Sequence, residues 1–153
     1  MGMPELQPGS PAPDIRLQTD TGESFDLASA RGKKVVLFFY PKADTPGCTT
    51  EACEFRDAYP RFGSDTIVLG ISADTPDKQA KFKGKFAFPY PLLADVDHKV
   101  AEAYGVWKEK SMYGKKYFGI ERTTFLIDKN GKIAKIFNKV KPAGHAEEVL
   151  QAL

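Results

Sequence analysis

The sequence has few residues of the types that bind metals. It contains two cysteines, Cys48 and Cys53, and two histidines, His98 and His145. Neither histidine stands at metal-ligand spacing from a cysteine, which argues against a zinc or haem site, so we expect no cofactor. The cysteines also do not form a Cys-x-x-Cys pair, which disfavours a dithiol–disulfide exchanger.

Long apolar runs and an excess of one charge are missing as well. No segment is apolar over the length of a bilayer, and the N-terminal segment lacks the apolar core of a signal peptide. Met1-Gly2 is a weak myristoylation signal, because Leu6 stands where Ser or Thr is needed. With 22 basic and 20 acidic residues the formal net charge is +2. We therefore expect a cytoplasmic protein with neither nucleic-acid nor membrane partners.

The composition that remains is that of a globular protein. The 153 residues are 42% hydrophobic and 27% charged, which is enough for one substantial core. No internal repeat, low-complexity tract or long linker divides them, so we treat 1–153 as a single domain. In a reducing compartment, two cysteines in such a chain indicate redox activity rather than a permanent cross-link.

Cys48 follows the strongest strand signal in the chain. Segment 35–40 is apolar, rich in β-branched and aromatic residues, and ends at Pro41, which predicts a buried strand. Thr45-Pro46 then has the composition of a helix start, with a hydroxyl group to cap free amides. Cys48 falls in the first helical turn, where unpaired amides and the helix dipole favour a thiolate. The alternative is an ordinary small buried residue.

The remaining periodicity predicts strands that alternate with helices. Expected in chain order are a hairpin over 15–25, a strand over 66–72, a helix over 76–86, an extended segment at 89–91, a helix over 97–104, a hairpin over 123–137 and a helix over 143–153. This order predicts an α/β fold, with a mixed central sheet covered by helices on both faces and an added N-terminal hairpin. Segment 108–116 is expected to be a mobile surface loop near the entrance to the Cys48 site.

Cys48 and Cys53 are expected on different faces of one helix. Cys48 points inward as part of an apolar stripe, and Cys53 lies off it. The other members of the stripe are Ala52, Phe55, Tyr59 and Phe62. Five helical steps separate the cysteines by about 7.5 Å along the axis and about 140° around it. A disulfide needs Cα atoms within about 7 Å, so the pair cannot join while the helix is intact. Cys53 is either a partly exposed bystander or a partner that requires the helix to unwind.

Several segments resemble the peroxiredoxins, and among them the bacterioferritin comigratory protein subgroup, also called peroxiredoxin Q. Pro41, Thr45 and Cys48 match the active-site pattern Pro, three residues, Thr, two residues, Cys. Segments 49–53, 94–107 and 119–128 are similar to characteristic sequence segments of the subgroup. The resemblance covers nearly the whole chain. It implies a thioredoxin-like fold and a thiol-dependent peroxidase acting on hydrogen peroxide and organic hydroperoxides.

The resemblance implies that three residues act on the peroxide. Cys48 is the nucleophile and becomes a sulfenic acid, while the hydroxyl group of Thr45 holds the peroxide. Arg122 favours the thiolate and offsets the charge that develops as the oxygen–oxygen bond breaks. Without the resemblance, Arg122 would be interpreted as a surface arginine at a strand end.

Three more roles follow from the same resemblance. Glu51 orients the arginine, although by itself it would be a solvated acid of the first helical turns. Pro41 shields the sulfur from water, and it also ends the strand. Cys53 resolves the sulfenic acid as an intramolecular disulfide, because segment 83–85, which carries the resolving cysteine in some relatives, is Lys-Gly-Lys here.

The resemblance also implies a reductant, and it leaves other functions open. Thioredoxin is the expected reductant, and a resolving cysteine in the same chain removes any chemical need for a partner subunit, so we expect a monomer. One alternative is a peroxide sensor, in which oxidation of Cys48 exposes a surface for a partner protein. Another is a disulfide reductase, which would need no peroxide.

Overall fold

The computed structural model describes residues 6–153, which form nine strands. They are β1 (Arg16–Thr19), β2 (Ser24–Asp26), β3 (Lys34–Phe39), β4 (Thr66–Ser72), β5 (Leu92–Ala94), β6 (Trp107–Met112), β7 (Lys115–Ile120), β8 (Thr123–Ile127) and β9 (Ile133–Phe137). The expectations for residues 1–5, including the missing signal peptide and the weak myristoylation signal, lie outside the described residues.

Four α-helices accompany these strands. They are α1 (Pro46–Ala58), α2 (Pro76–Phe86), α3 (Lys99–Ala103) and α4 (His145–Ala152), with short 3-10 turns at Leu27–Ala30 and Tyr59–Arg61. The apolar stripe predicted to run to Phe62 leaves the α-helix at Ala58, because Pro60 lacks the amide that would continue it. Within residues 6–153 no helix combines the length and the apolarity that membrane crossing needs.

Seven of the strands form one mixed sheet in the order β2-β1-β5-β4-β3-β8-β9. β3, β4 and β5 are parallel, as expected for strands joined by helical crossovers, whereas β1, β8 and β9 run antiparallel to their neighbours. The predicted N-terminal hairpin is β1–β2, and it extends one edge of the sheet by pairing with β5. The prediction of a mixed central sheet is confirmed.

The sheet has a hydrophobic core on each face, which explains the continuous apolar run of β3. Alternate residues of β3 enter opposite cores, so a strand covered on both sides carries no polar face. Val35, Leu37 and Phe39 join Val100 and Ala101 of α3 in one core. The other core contains Val36, Phe38, Cys48, Phe55, Phe82 and Val149, and so unites α1, α2 and α4.

The pairing of β3 with β8 brings two distant segments to one edge of the sheet. The strands are antiparallel, with Phe39 opposite Thr123. The end of β3 therefore adjoins the start of β8. This register brings the start of α1, which follows β3, to the same edge of the sheet as Arg122, which immediately precedes β8.

The prediction of a loop over 108–116 is wrong. β6 and β7 form a two-stranded antiparallel ribbon, separate from the main sheet, with Met112 opposite Lys115. Its two-residue turn places Tyr113 and Gly114 at positive φ, as the tight turns of hairpins require. The ribbon escaped prediction because most of its side chains are exposed, so no alternation of apolar and polar residues marks it.

Candidate active site

The start of α1 differs from its sequence prediction in one detail. Thr45 is the N-cap residue with an extended backbone, and Pro46 occupies the first helical position. The Thr45 hydroxyl group nevertheless makes no cap, because it donates to the carbonyl oxygen of Lys42 at 2.9 Å. The predicted capping by this hydroxyl group is therefore wrong. The hydroxyl group points back toward the preceding loop.

Cys48 lies in the first turn of α1 and is nearly inaccessible, with 1% of its surface exposed. Its sulfur accepts a hydrogen bond from Nη2 of Arg122 at 3.4 Å. Two residues that stand 74 positions apart are thus in direct contact at the sheet edge. Arg122 therefore places a hydrogen-bond donor and a positive charge against the buried sulfur.

Glu51 binds the other terminal nitrogen of the Arg122 guanidinium group. Its Oε1 accepts from Nη1 of Arg122 at 2.8 Å, and its side chain is fully buried. The interpretation of Glu51 as a solvated acid is therefore excluded. Burial raises the pKa of Glu51 from 4.5 to about 7, although the charge and hydrogen bond of Arg122 oppose the rise. The other carboxylate oxygen, Oε2, is buried without a hydrogen-bond partner among the described residues.

Gly47 provides the space that Arg122 occupies, and sequence reasoning missed this role. A Cβ atom at Gly47 would stand 3.1 Å from Nη2 of Arg122 and 3.4 Å from Cγ of Pro142. A side chain at position 47 would therefore require the guanidinium group to shift by a few tenths of an ångström. The sequence held no signal for this contact beyond the glycine itself, because Arg122 and Pro142 come from distant parts of the chain.

Contacts from β4 and α2 fix the loop that precedes α1. Asp74 accepts from the amide of Ala43 at 2.7 Å and from the hydroxyl group of Ser72 at 2.6 Å. Lys85 forms an ion pair at 3.1 Å with Asp44, which has a φ of 60°. The loop between β3 and α1 is therefore tied to the sheet on one side and to α2 on the other.

Pro41 and Thr45 lie in that loop, and both are partly exposed. Pro41 directly follows the buried Tyr40, as expected for a residue that ends a strand. The only hydrogen bond of the Thr45 side chain among the described residues is the one to Lys42. The shielding role of Pro41 and the peroxide-binding role of Thr45 remain predictions.

Cys53 lies on α1 away from the Cys48 face, as predicted. It is partly exposed, and both cysteines are free thiols. α1 is continuous across both positions, so the geometric condition stated above applies: the pair cannot join in this conformation. Partial burial raises the pKa of Cys53, and the neighbouring Arg56 opposes that rise.

Lys110 is a second cation near the site, and it belongs to the segment that was expected at the site entrance. It belongs to β6, and its ammonium group donates to the carbonyl oxygen of Ile120 in β7. Burial lowers the pKa of Lys110, and the charge of Arg122 acts in the same direction. The ribbon that was predicted to be a mobile loop therefore supplies a basic residue beside the arginine.

The two histidines serve structural contacts. His145 is buried at the start of α4, where Nε2 and Thr124 Oγ1 are 2.7 Å apart and Nδ1 and Glu148 Oε1 are 2.9 Å apart. His98 stacks on Trp107 with 4.0 Å between ring centroids. No group of three or more potential metal ligands occurs in the described part of the chain.

Comparison with known proteins identifies the family to which this site belongs. The model of the AhpC/TSA family matches residues 8–136. The chain is 50% identical over 149 residues to peroxiredoxin Bcp of Bacillus subtilis. The match covers 97% of this chain and 95% of that relative. The chain is 44% identical over 152 residues to peroxiredoxin Bcp of Escherichia coli, or 99% of this chain and 97% of that one. The chain is a peroxiredoxin of the AhpC/TSA family.

Solved structures of similar peroxiredoxins share the fold. A cysteine-to-serine mutant of Xylella fastidiosa PrxQ superposes with a TM-score of 0.92 at 35% identity, covering 98% of this chain and 96% of that one. The Xanthomonas campestris bacterioferritin comigratory protein superposes with a TM-score of 0.86 at 40% identity, covering 90% of this chain and 88% of that one. The prediction of a thioredoxin-like peroxiredoxin fold is confirmed, and the chain is a thiol peroxidase.

The buried carboxyl group of Glu51 predicts a pH dependence of stability. Burial raises the pKa of Glu51 from 4.5 to about 7, so the folded peroxiredoxin holds this proton more tightly than the unfolded chain. The stability that this group contributes is fully present below about pH 4.5. It is lost as the pH rises to about 7. The loss is about 3 kcal/mol.

A Glu51→Gln variant isolates this contribution. Burial lowers the pKa of His145, so that group acts in the opposite sense and stabilises the fold as pH rises. It does so equally in the parent and the variant. Urea denaturation at a series of pH values is expected to show that Glu51→Gln gains stability relative to the parent as the pH rises from about 5 to about 8. A pH-independent difference between the two proteins would contradict the burial argument.

Proposed function

We propose that this peroxiredoxin reduces hydrogen peroxide and organic hydroperoxides with Cys48 as nucleophile and Cys53 as resolving residue, and that thioredoxin reduces the resulting disulfide. The observation that carries the proposal is the contact of one guanidinium group with both the buried Cys48 sulfur and Glu51. The Xanthomonas campestris relative reduces alkyl peroxides, which supports the substrate class.

The first step transfers one oxygen atom. The Cys48 thiolate attacks the outer peroxide oxygen in line with the oxygen–oxygen bond, and the bond electrons move to the leaving oxygen. The product is a Cys48 sulfenic acid and an alcohol or water, once the leaving oxygen has taken up a proton. Arg122 lies where negative charge moves from sulfur to oxygen, so its stabilisation acts in the transition state.

Thr45 and Pro41 complete the proposed peroxide site. The Thr45 hydroxyl group would turn from the carbonyl oxygen of Lys42 toward the peroxide, accept its proton and donate back to the second oxygen. This rotation exchanges one hydrogen bond for another at a partly exposed position, so it costs little. The ring of Pro41, at the end of a buried strand, would limit the access of water and bulky reactants to the sulfur.

The second step joins the two cysteines. The Cys53 thiolate attacks the sulfenic sulfur and the sulfur–oxygen bond breaks, which forms the disulfide and releases hydroxide. The hydroxide takes up a proton and leaves as water. Because α1 separates the two residues, its first turns must unwind first. Gly47, Thr49 and Thr50 are weak helix formers, which lowers the cost of this opening.

The third step returns the peroxiredoxin to its dithiol form. A thiolate of reduced thioredoxin attacks the disulfide, and exchange through a mixed disulfide transfers the oxidation to thioredoxin. No second subunit takes part in this sequence, so we propose that a cytoplasmic monomer performs it.

Steady-state turnover tests the proposal. The parent protein is mixed with thioredoxin, thioredoxin reductase, NADPH and excess hydrogen peroxide. Many equivalents of NADPH per chain are expected to be consumed. A reaction that stops after a single equivalent per chain would indicate a peroxide sensor instead. Reduction of insulin disulfides by the protein without peroxide, in a separate assay without thioredoxin, would indicate a disulfide reductase.

The Cys53→Ser variant is expected to keep the first step and lose turnover. Serine cannot form the disulfide, so the Cys48 sulfenic acid should persist. It should be trapped by a sulfenic-acid-specific nucleophile and detected by mass spectrometry, with the rate constant of the first step close to that of the parent. Parental cycling of Cys53→Ser with thioredoxin would remove Cys53 from the mechanism.

A further inference from the structure

A buried tyrosine holds the segment of α1 that precedes Cys53. The hydroxyl group of Tyr90 donates to the carbonyl oxygen of Ala52, and both residues are completely buried. In the α-helical pattern, the same carbonyl oxygen also accepts a hydrogen bond from the amide four residues later. The Tyr90 hydroxyl group therefore adds a bond from outside the helix to a carbonyl one residue before Cys53.

Tyr90 is packed against the central sheet and is not part of α1. It lies between Pro89 and Pro91, two residues before the start of β5. The carbonyl oxygen of Pro91 accepts from the amide of Gly70 in β4. Its ring stacks on Phe88 with 5.5 Å between centroids and 10° between planes, and it meets Phe38 of β3 edge to face at 5.7 Å. The hydroxyl group is thus fixed to the sheet.

A second contact lies on the other side of Cys53. Nη1 of Arg56 donates to the carbonyl oxygen of Phe86, at the end of α2, at 2.9 Å. Of the two contacts, the Tyr90 bond is the buried one, and it lies within the span between the cysteines. When the unwinding that joins Cys53 to Cys48 extends through Ala52, the Ala52 carbonyl oxygen leaves the Tyr90 hydroxyl group.

We propose that Tyr90 is a positioning residue for the resolving step: its hydroxyl group holds the Ala52–Cys53 segment in the helix and so slows disulfide formation. The inference rests on the proposed role of Cys53. Its consequence concerns the competition for the Cys48 sulfenic acid. While α1 is closed, a second peroxide can transfer an oxygen to that sulfur, giving a sulfinic acid and an alcohol or water.

A Tyr90→Phe variant tests the proposal, and Tyr104→Phe is the matched control. Tyr104 is also a buried tyrosine whose hydroxyl group donates to a main-chain carbonyl oxygen, that of Pro13 at 2.7 Å, in the core on the opposite face of the sheet. Each variant loses one oxygen atom and one hydrogen bond of the same kind. A general loss of stability should therefore appear in both, and an effect on α1 should appear in Tyr90→Phe alone.

Quenched-flow alkylation and mass spectrometry then measure the rate constant of disulfide formation and the fraction of sulfinic acid at increasing peroxide. Loss of one hydrogen bond is expected to speed disulfide formation about threefold to tenfold in Tyr90→Phe. The peroxide concentration that gives half sulfinic acid should rise by the same factor. The rate constant of the first oxidation should not change. Tyr104→Phe should match the parent in all three quantities.

Amide hydrogen exchange of the reduced proteins separates this proposal from the proposed function. Amides of segment 52–56 are expected to exchange about threefold to tenfold faster in Tyr90→Phe than in the parent or Tyr104→Phe. Equal exchange together with equal disulfide rates would overturn the proposal for Tyr90. If the parent itself forms no Cys48–Cys53 disulfide, the proposed resolving step fails, and exchange alone then decides whether Tyr90 holds the helix.

Discussion

Replacement of Cys48 with serine is expected to abolish the reaction with hydroperoxides, including its first turnover. A serine hydroxyl group is not ionised near neutral pH, so the buried position next to Arg122 would hold no anion to attack the peroxide. The substitution changes little in size at a site with 1% exposure, so the fold should be retained. The measurement is peroxide consumption by stoichiometric protein, with circular dichroism as the check on folding.

The Cys53→Ser variant is the matched control for this prediction. It carries the same chemical change five residues along the same helix. It is expected to consume a single equivalent of peroxide, whereas Cys48→Ser consumes none. Consumption of an equivalent by Cys48→Ser, or its absence in Cys53→Ser, would reverse the assignment of the two cysteines.

Replacement of Arg122 with lysine is expected to slow the oxidation of Cys48 by about 10²- to 10³-fold, the usual cost of removing one preorganised donor from an active site. Lysine keeps the positive charge, so Glu51 is not left buried without a counterion. A single ammonium group cannot reproduce the planar fork that reaches both Glu51 Oε1 and the Cys48 sulfur. The measurement is the second-order rate constant with hydrogen peroxide under single-turnover conditions.

An Arg16→Lys variant provides the control for the arginine. Arg16 is largely exposed in β1 and contacts Asp26 at 3.6 Å, so the same substitution there should leave the rate constant unchanged. A folded Arg122→Lys protein that oxidises at the parental rate would show that the guanidinium fork is not needed. In that case the central role given to Arg122 would be wrong.

The sequence allowed the elements around the site to be predicted because their signals are local. The apolar segment of β3, Pro41 and the helix start at Thr45-Pro46 follow one another along the chain. Helical spacing alone placed Cys48 inward and Cys53 off the apolar stripe. The prediction that Arg122 contacts Cys48 had a different basis. The contact was expected only from the resemblance to the peroxiredoxins, since no local pattern connects residues 74 positions apart.

Several features could not be predicted because they depend on tertiary contacts. Thr45 was expected to cap α1, and the loop geometry instead turns its hydroxyl group to Lys42. The space for Arg122 over Gly47 and the bond from Tyr90 to Ala52 join segments far apart in the chain. The β6–β7 ribbon lacked an apolar face, and so its strands were mistaken for a loop.

Time-resolved oxidation of the individual cysteines tests the account most directly. The reduced protein is mixed with a single equivalent of hydrogen peroxide, quenched by alkylation at successive times, and digested without reduction for mass spectrometry. We predict that a sulfenic acid appears first at Cys48, with Cys53 still alkylated as a free thiol, and that a peptide linking the two replaces it. Oxidation that begins at Cys53, or a Cys48 that reacts no faster than free cysteine, would contradict the account.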